Sequence, residues 1–149
     1  NFDASLFFQG TQGNKIYNGV KMWLYRTDRN NMSSDLLNAW TPQNTGSNIP
    51  RNAFGDPNNN IRPSSYFLED GSYFRLKNIQ IGYTLPESVT SKIAMSSARI
   101  YITANNLFTI TDYSGFDPGL ANGGTFTRGV DRGFYPLTKS FILGVNLSL

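Results

Sequence analysis

Phe141-Ile142-Leu143-Gly144-Val145-Asn146-Leu147-Ser148-Leu149 alternates with a period of two. Phe141, Leu143, Val145, Leu147 and Leu149 fall on one face; Ile142, Gly144, Asn146 and Ser148 fall on the other. Successive side chains of an extended chain point to opposite sides, so this stretch predicts a strand with one apolar face and one small or polar face. That pattern fits a half-buried strand of a soluble sandwich. It fits equally a strand of an outer-membrane β-barrel, with lipid on one side and a wet lumen on the other.

The same period recurs upstream. Strands are expected at roughly 2–10, 73–85, 98–110 and 136–149. In the first, Phe2, Ala4, Leu6 and Phe8 share a face, and a ragged continuation is expected through Lys15-Ile16-Tyr17 toward Trp23-Leu24-Tyr25. In the second, Ile79, Ile81, Tyr83 and Leu85 oppose Asn78, Gln80, Gly82 and Thr84. Upstream the parity flips to Phe74 and Leu76, which predicts a β-bulge near Lys77-Asn78 or a segment projecting beyond the apolar slab. In the third, Ala98, Ile100, Ile102 and Ala104 oppose Arg99, Tyr101, Thr103 and Asn105.

The connections differ sharply in length. Residues 26–70 are rich in Asn, Pro and Gly, with a turn cluster at Asp56-Pro57-Asn58-Asn59-Asn60 and a short Ser-capped helix expected near Ser33–Trp40, limited by Pro42. A second Gly-rich loop runs from Asp112 to about Tyr135, whereas the link from Pro86 to Met95 is short and weakly helical through Val89 and Ile93. If strand four runs inward, both long loops fall on the outside, as outer-membrane barrels require.

Composition removes several functions. Thirteen Lys and Arg against ten Asp and Glu give a net charge of +3, and the basic residues are scattered, so nucleic-acid binding is not expected. Cysteine and histidine are both absent, which removes thiol chemistry, the commonest general base and the usual transition-metal ligand. No apolar run reaches the ~18 residues of a transmembrane helix. The chain begins at Asn1 without a signal peptide, the expectation for a mature or partial chain. Asp56, Asp112, Asp117 and Asp131 follow no calcium-loop spacing and lie where turn chemistry uses them. Glu69 and Asp70 are adjacent and point apart in an extended segment, so neither an acid–base pair nor an enzyme is expected.

Several blocks resemble the C-terminal end of the SusC/RagA family of TonB-dependent outer-membrane transporters. They are Glu69 to Pro86, Arg99-Ile100-Tyr101, Asn105-Asn106-Leu107-Phe108-Thr109, Tyr113-Ser114-Gly115-Phe116-Asp117-Pro118, and Gly133 to Leu149. The resemblance implies an all-β fold: the last four antiparallel strands of a large transmembrane barrel of about 22 strands, with long extracellular loops. It also implies import of oligosaccharides or peptides at the bacterial outer membrane without a cofactor. The implied partners are the rest of the barrel and its plug, a SusD-like surface lipoprotein, TonB (through an amino-terminal part this chain lacks) and the barrel-assembly machinery. The plug and remaining strands are missing, and Leu149 stands where a terminal aromatic is usual. Four strands leave two open edges, which lipid does not tolerate, so this chain alone is not expected to transport.

Residue expectations follow. Phe141, Leu143, Val145, Leu147 and Leu149 face lipid and carry the assembly signal; Arg99, Tyr101 and Asn105 face the lumen. Trp23, Trp40, Tyr66, Phe67, Tyr113 and Phe116 contact sugar or the lipoprotein cap, or else pack the loops or form an interfacial girdle. Lys139 shares the lipid-side parity near the outer end, from which it snorkels. The rival readings are a soluble secreted β-sandwich carbohydrate-binding module and a secreted hydrolase with converging carboxylates. Leu143→Arg tests the assignment: at the bilayer midplane it costs about 2–4 kcal/mol, read from urea-dependent folding of the full-length protein into vesicles. An unchanged folding free energy means that Leu143 does not face lipid.

Overall fold

The computed structural model describes residues 1–28, 31–119 and 127–148. In chain order the strands are β1 (Phe2–Thr11), β2 (Lys15–Asn18), β3 (Leu68–Asp70), β4 (Tyr73–Thr84), β5 (Ser97–Thr111), β6 (Val130–Asp131) and β7 (Ser140–Ser148). Two short helices, α1 (Gly19–Leu24) and α2 (Glu87–Thr90), accompany them. The chain divides into two units, a strand unit and a loop unit.

The strand unit is an antiparallel sheet in the order β1-β4-β5-β7, so each strand lies beside its predecessor in the unit. Cross-strand register builds the apolar face row by row. Leu6, Ile79, Ala104 and Phe141 form one row; Ala4, Ile81, Ile102 and Leu143 the next; Phe2, Tyr83, Ile100 and Val145 a third. Apart from Ala104, buried at 8%, these rows are open, with Phe2 79%, Leu143 75% and Phe141 67% exposed. A sandwich would need a second sheet over this face, and among the described residues none covers it.

The parity flip at Lys77 is a bulge. On the β1 side, Phe7 pairs with Asn78 and Phe8 with Leu76, leaving Lys77 as the extra residue. On the β5 side, Leu76 pairs with Phe108 and Asn78 with Asn105, so Asn106 and Leu107 together oppose Lys77. Asn106 takes a left-handed φ of 51°, which Asn tolerates better than other side chains. Its Nδ2 donates to the Thr138 carbonyl (3.0 Å), while Oδ1 is buried without a partner among the described residues. The two insertions keep Phe8, Leu76 and Phe108, then Phe74 and Ile110, on the apolar face. From Phe2 to Gly10 that face runs about 27 Å along the strand, or about 21 Å in height at a ~40° tilt, close to the ~25 Å apolar band of outer-membrane barrels.

Thr11, Tyr73 and Thr111 are register neighbours, so both long connections leave from one end of the sheet. The short link through α2 joins β4 to β5 at the other end. Strand four starts at Ser140 rather than 136, and Leu149 lies outside the described residues.

The loop unit has its own three-stranded sheet, β3-β2-β6, in which β2 pairs antiparallel with β3 and parallel with β6. Phe67, Tyr25 and Leu36 form its main core, with Tyr17, Met22, Ile49, Ile61 and Tyr66 packed against it. The expected extension of the first strand toward Trp23 is a helix instead. Asn18 ends β2 and caps α1, its side chain accepting from the Lys21 amide (2.8 Å). The helix expected at Ser33–Trp40 is a 3-10 turn, Ser34–Asn38, capped by the Ser33 hydroxyl.

Deleting Lys77 tests the bulge. Without it, one side of β4 changes parity and Phe74 and Leu76 turn onto the polar face, at about 1.5–3 kcal/mol per side chain. The full-length barrel is expected to lose its heat-modifiable gel mobility; normal mobility would show that the insertion is dispensable.

Candidate functional site

The face opposite the apolar rows carries a polar ladder of two hydrogen-bonded groups. Asn78 Nδ2 donates to Asn105 Oδ1 (2.8 Å), and Asn105 Nδ2 to Ser140 Oγ (3.0 Å). One step along, Gln80 Nε2 donates to Thr103 Oγ1 (3.0 Å) while Arg99 Nη2 reaches Gln80 Oε1 (3.2 Å). Arg99 also grips Asp3 of β1 through Nε and Nη2, a bidentate pair. Arg99, Tyr101 and Asn105 therefore share one face.

Two glycines make that packing fit. A Cβ on Gly82 would collide with the Arg99 guanidinium, and one on Gly144 would collide with the Tyr101 ring. Gly82 and Gly144 lie on either side of Tyr101 in the same cross-strand row.

In the loop unit the organising group is Glu69. Its carboxylate accepts from Lys21 Nζ (3.0 Å), from the Ser114 amide (3.0 Å) and from Ser114 Oγ (2.7 Å), with Asn18 Nδ2 at 3.4 Å. Burial pushes Glu69 up, but the Ser114 and Lys21 hydrogen bonds outweigh it and hold its carboxyl below the ordinary carboxylate value. Asp70 instead pairs outward with Lys15 (3.1 Å), so the adjacent carboxylates diverge. Tyr113 is buried and donates to Asp131 Oδ2 (2.6 Å); burial, then that carboxylate, push its hydroxyl far up. Burial does the same to Tyr25, whose hydroxyl lies 3.3 Å from Asp35.

The six aromatics separate into three groups. Phe67 and Tyr113 are core residues, 1% and 5% exposed, so neither offers a contact surface. Tyr66 is half-buried, packs edge-on against Phe67 and lies under the Lys21 ammonium. Trp23 and Phe116 are exposed, and Trp40 lines an open groove. Phe116 and Leu24 border a cleft of about 270 Å³ whose polar lining includes Lys21, Tyr25 and Asp35.

Three of the four loop aspartates serve turns. Asp56 accepts from the Asn60 and Ile61 amides (2.8 Å each), Asp117 from the Gly119 amide and Asp131 from the Gly133 amide (2.8 Å each). No cluster of three metal-ligating side chains occurs among the described residues. Asn18, Lys21 and Ser114 were not singled out from sequence. The usable signal was Asn18 before a helix start, the position of an N-cap.

No family model matches the chain. It is 39% identical over 99% of its length to TonB-dependent receptor P3 of Formosa agariphila and 34% identical over 99% to receptor P26 of the same bacterium. It is 28% identical over 99% to TonB-dependent receptor SusC of Bacteroides thetaiotaomicron. The chain spans 15%, 16% and 14% of those relatives. The RagAB peptide transporter structure superposes with a TM-score of 0.80 at 29% identity, over 99% of this chain and 16% of that one.

Glu69 gives a pH prediction. Its folded pKa lies below the ordinary value of 4.5, so its contribution is complete above that value and is lost as pH falls through the depressed one. Glu69→Gln is expected to cost about 1–3 kcal/mol of loop-unit stability at neutral pH and to flatten the acid limb. Protease protection of segment 13–71 in the full-length protein measures both; an acid limb identical to wild type refutes the assignment.

Proposed function

The chain belongs to the SusC/RagA family of TonB-dependent receptors, and from that premise we propose that it supplies the last four strands and two outer loops of a nutrient-importing barrel in the bacterial outer membrane. It is part of a transporter rather than an enzyme. The remaining strands and the plug come from sequence beyond this chain, whose relatives are some six to seven times longer.

The observation that carries the reading is the asymmetry of the strand unit: a bare apolar face backed by the ladder of Asn78, Asn105, Gln80, Thr103, Arg99 and Asp3. In lipid the bare face needs no cover, and the ladder satisfies polar groups on the lumen side. Arg99, Tyr101 and Asn105 line the lumen. Phe141, Leu143, Val145 and Leu147 face lipid, and Leu149, outside the described residues, continues their parity. The edges at β1 and β7 pair with neighbouring strands of the same barrel, because each unpaired backbone group in lipid costs several kcal/mol.

The two loops act outside, where a SusD-like lipoprotein delivers oligosaccharide or peptide. Exposed Trp23 and Phe116 are the contact candidates there. TonB and the barrel-assembly machinery act on the whole protein.

Cysteine labelling of the full-length protein in vesicles tests the orientation. A fluorophore at Leu143→Cys is expected to be quenched by brominated lipid and one at Asn105→Cys by aqueous iodide; the reverse pattern sinks the reading. A strain lacking the gene is expected to lose growth on one oligosaccharide or peptide mixture. Undiminished growth on all of them would argue against import.

A further inference from the structure

We infer that the groove beside Trp40 is a subsite for one acidic sugar residue of an oligosaccharide. The inference deepens the transport reading and rests on it for the ligand's route to the loops.

The groove measures about 460 Å³, within the ~300–1,000 Å³ of small-molecule sites. Half-buried Trp40 and Ile49 supply its apolar surface, joined by the Trp40 amide donating to the Ile49 carbonyl (2.9 Å). Around them stand Asn48, Arg51, Asn58 and Asn60. Their side chains make no hydrogen bond or ion pair among the described residues, while neighbouring polar groups are committed. Ser47 Oγ donates to the Asn38 carbonyl (2.6 Å) and accepts from the Ile49 amide (3.0 Å). Both oxygens of Asp56 are taken by the Asn60 and Ile61 amides.

Those commitments hold the wall in shape. Asp56 and Asn59 both adopt left-handed φ, 46° and 54°, so the turn carrying Asn58 and Asn60 is fixed by its own backbone. What remains uncommitted is a set of amides, each with a donor and an acceptor, beside an aromatic side chain and one guanidinium. Amides match the paired donor and acceptor character of sugar hydroxyls, and an indole offers a flat apolar surface to a pyranose ring. Arg51 sets the charge, since no carboxylate lines the groove. A guanidinium fork matches a uronate carboxylate or a sulfate ester bidentately. A peptide is the weaker fit, because the wall is built from turns and presents no open strand edge to pair with a backbone.

The test uses the purified full-length protein and calorimetry with four probes: tetragalacturonate, a sulfated carrageenan tetrasaccharide, neutral maltotetraose and tetraglutamate. The acidic sugars are expected to bind about tenfold or more tighter than maltotetraose. Added salt should erode that preference. Arg51→Gln, at an exposed position, should abolish it and Arg51→Lys should restore part of it. Trp40→Ala should weaken all three sugars, and whichever acidic sugar binds tighter identifies the anion as carboxylate or sulfate. The inference is overturned if no sugar binds, if maltotetraose binds as well as the acidic sugars, if the preference survives Arg51→Gln, or if tetraglutamate matches the acidic sugars. Failure here with nutrient uptake intact removes the subsite alone; lost membrane insertion or uptake-independent growth removes the transport reading instead.

Discussion

One constraint governs the strand unit: the apolar rows along some 20 Å of height must keep to one side of a structure whose side chains alternate, with Phe7 and Ile142 falling on the other. A single uncompensated residue would turn the remainder of a strand inside out. The bulge at Lys77, matched by Asn106 and Leu107 on the next strand, is how this sheet adds residues without changing sides. Asn106 accepts a strained backbone to make it possible. The apolar rows, the polar ladder and the common exit of both loops all depend on that local correction.

The loop unit obeys a different rule. It cannot rely on a long periodic face, so it gathers distant segments around buried polar groups. Glu69 ties β3 to α1 and to the segment at Ser114; Asn18 caps the helix while also donating to Ser114. Tyr113 and Asp131 join two further pieces of chain through one short hydrogen bond. Glu69, Asn18 and Asp131 each have more than one partner, which is what makes their burial tolerable.

The long strands were legible in sequence because nine or more residues dominated by a period of two are hard to mistake. The bulge was legible for the same reason, since a parity break stands out only against a clear rhythm. β2, β3 and β6 have four, three and two residues, too few to show any period, and the parallel pairing of Tyr17 with Val130 joins positions more than a hundred residues apart. Phe67 and Tyr113 read in sequence either as contact aromatics or as loop packing, because residues around them are polar. Their burial is decided by contacts that no local window contains. Parity sorted the strand residues onto the two faces of the sheet, whereas the places of individual loop aromatics depended on packing.

The two glycines on the polar face have a bearing on how the strands find one another. Alternation rules out slips of one residue but is blind to slips of two, which leave every side chain on its proper side. Tyr101 over Gly144 and Arg99 over Gly82 remove that ambiguity. Shift β7 by two residues and the ring meets Ile142 or Asn146, where there is no slot to receive it. The sheet thus carries a coarse code, read as greasy against wet, and a finer one, read as bulk against vacancy. Only the second tells a strand where along its neighbour to stop.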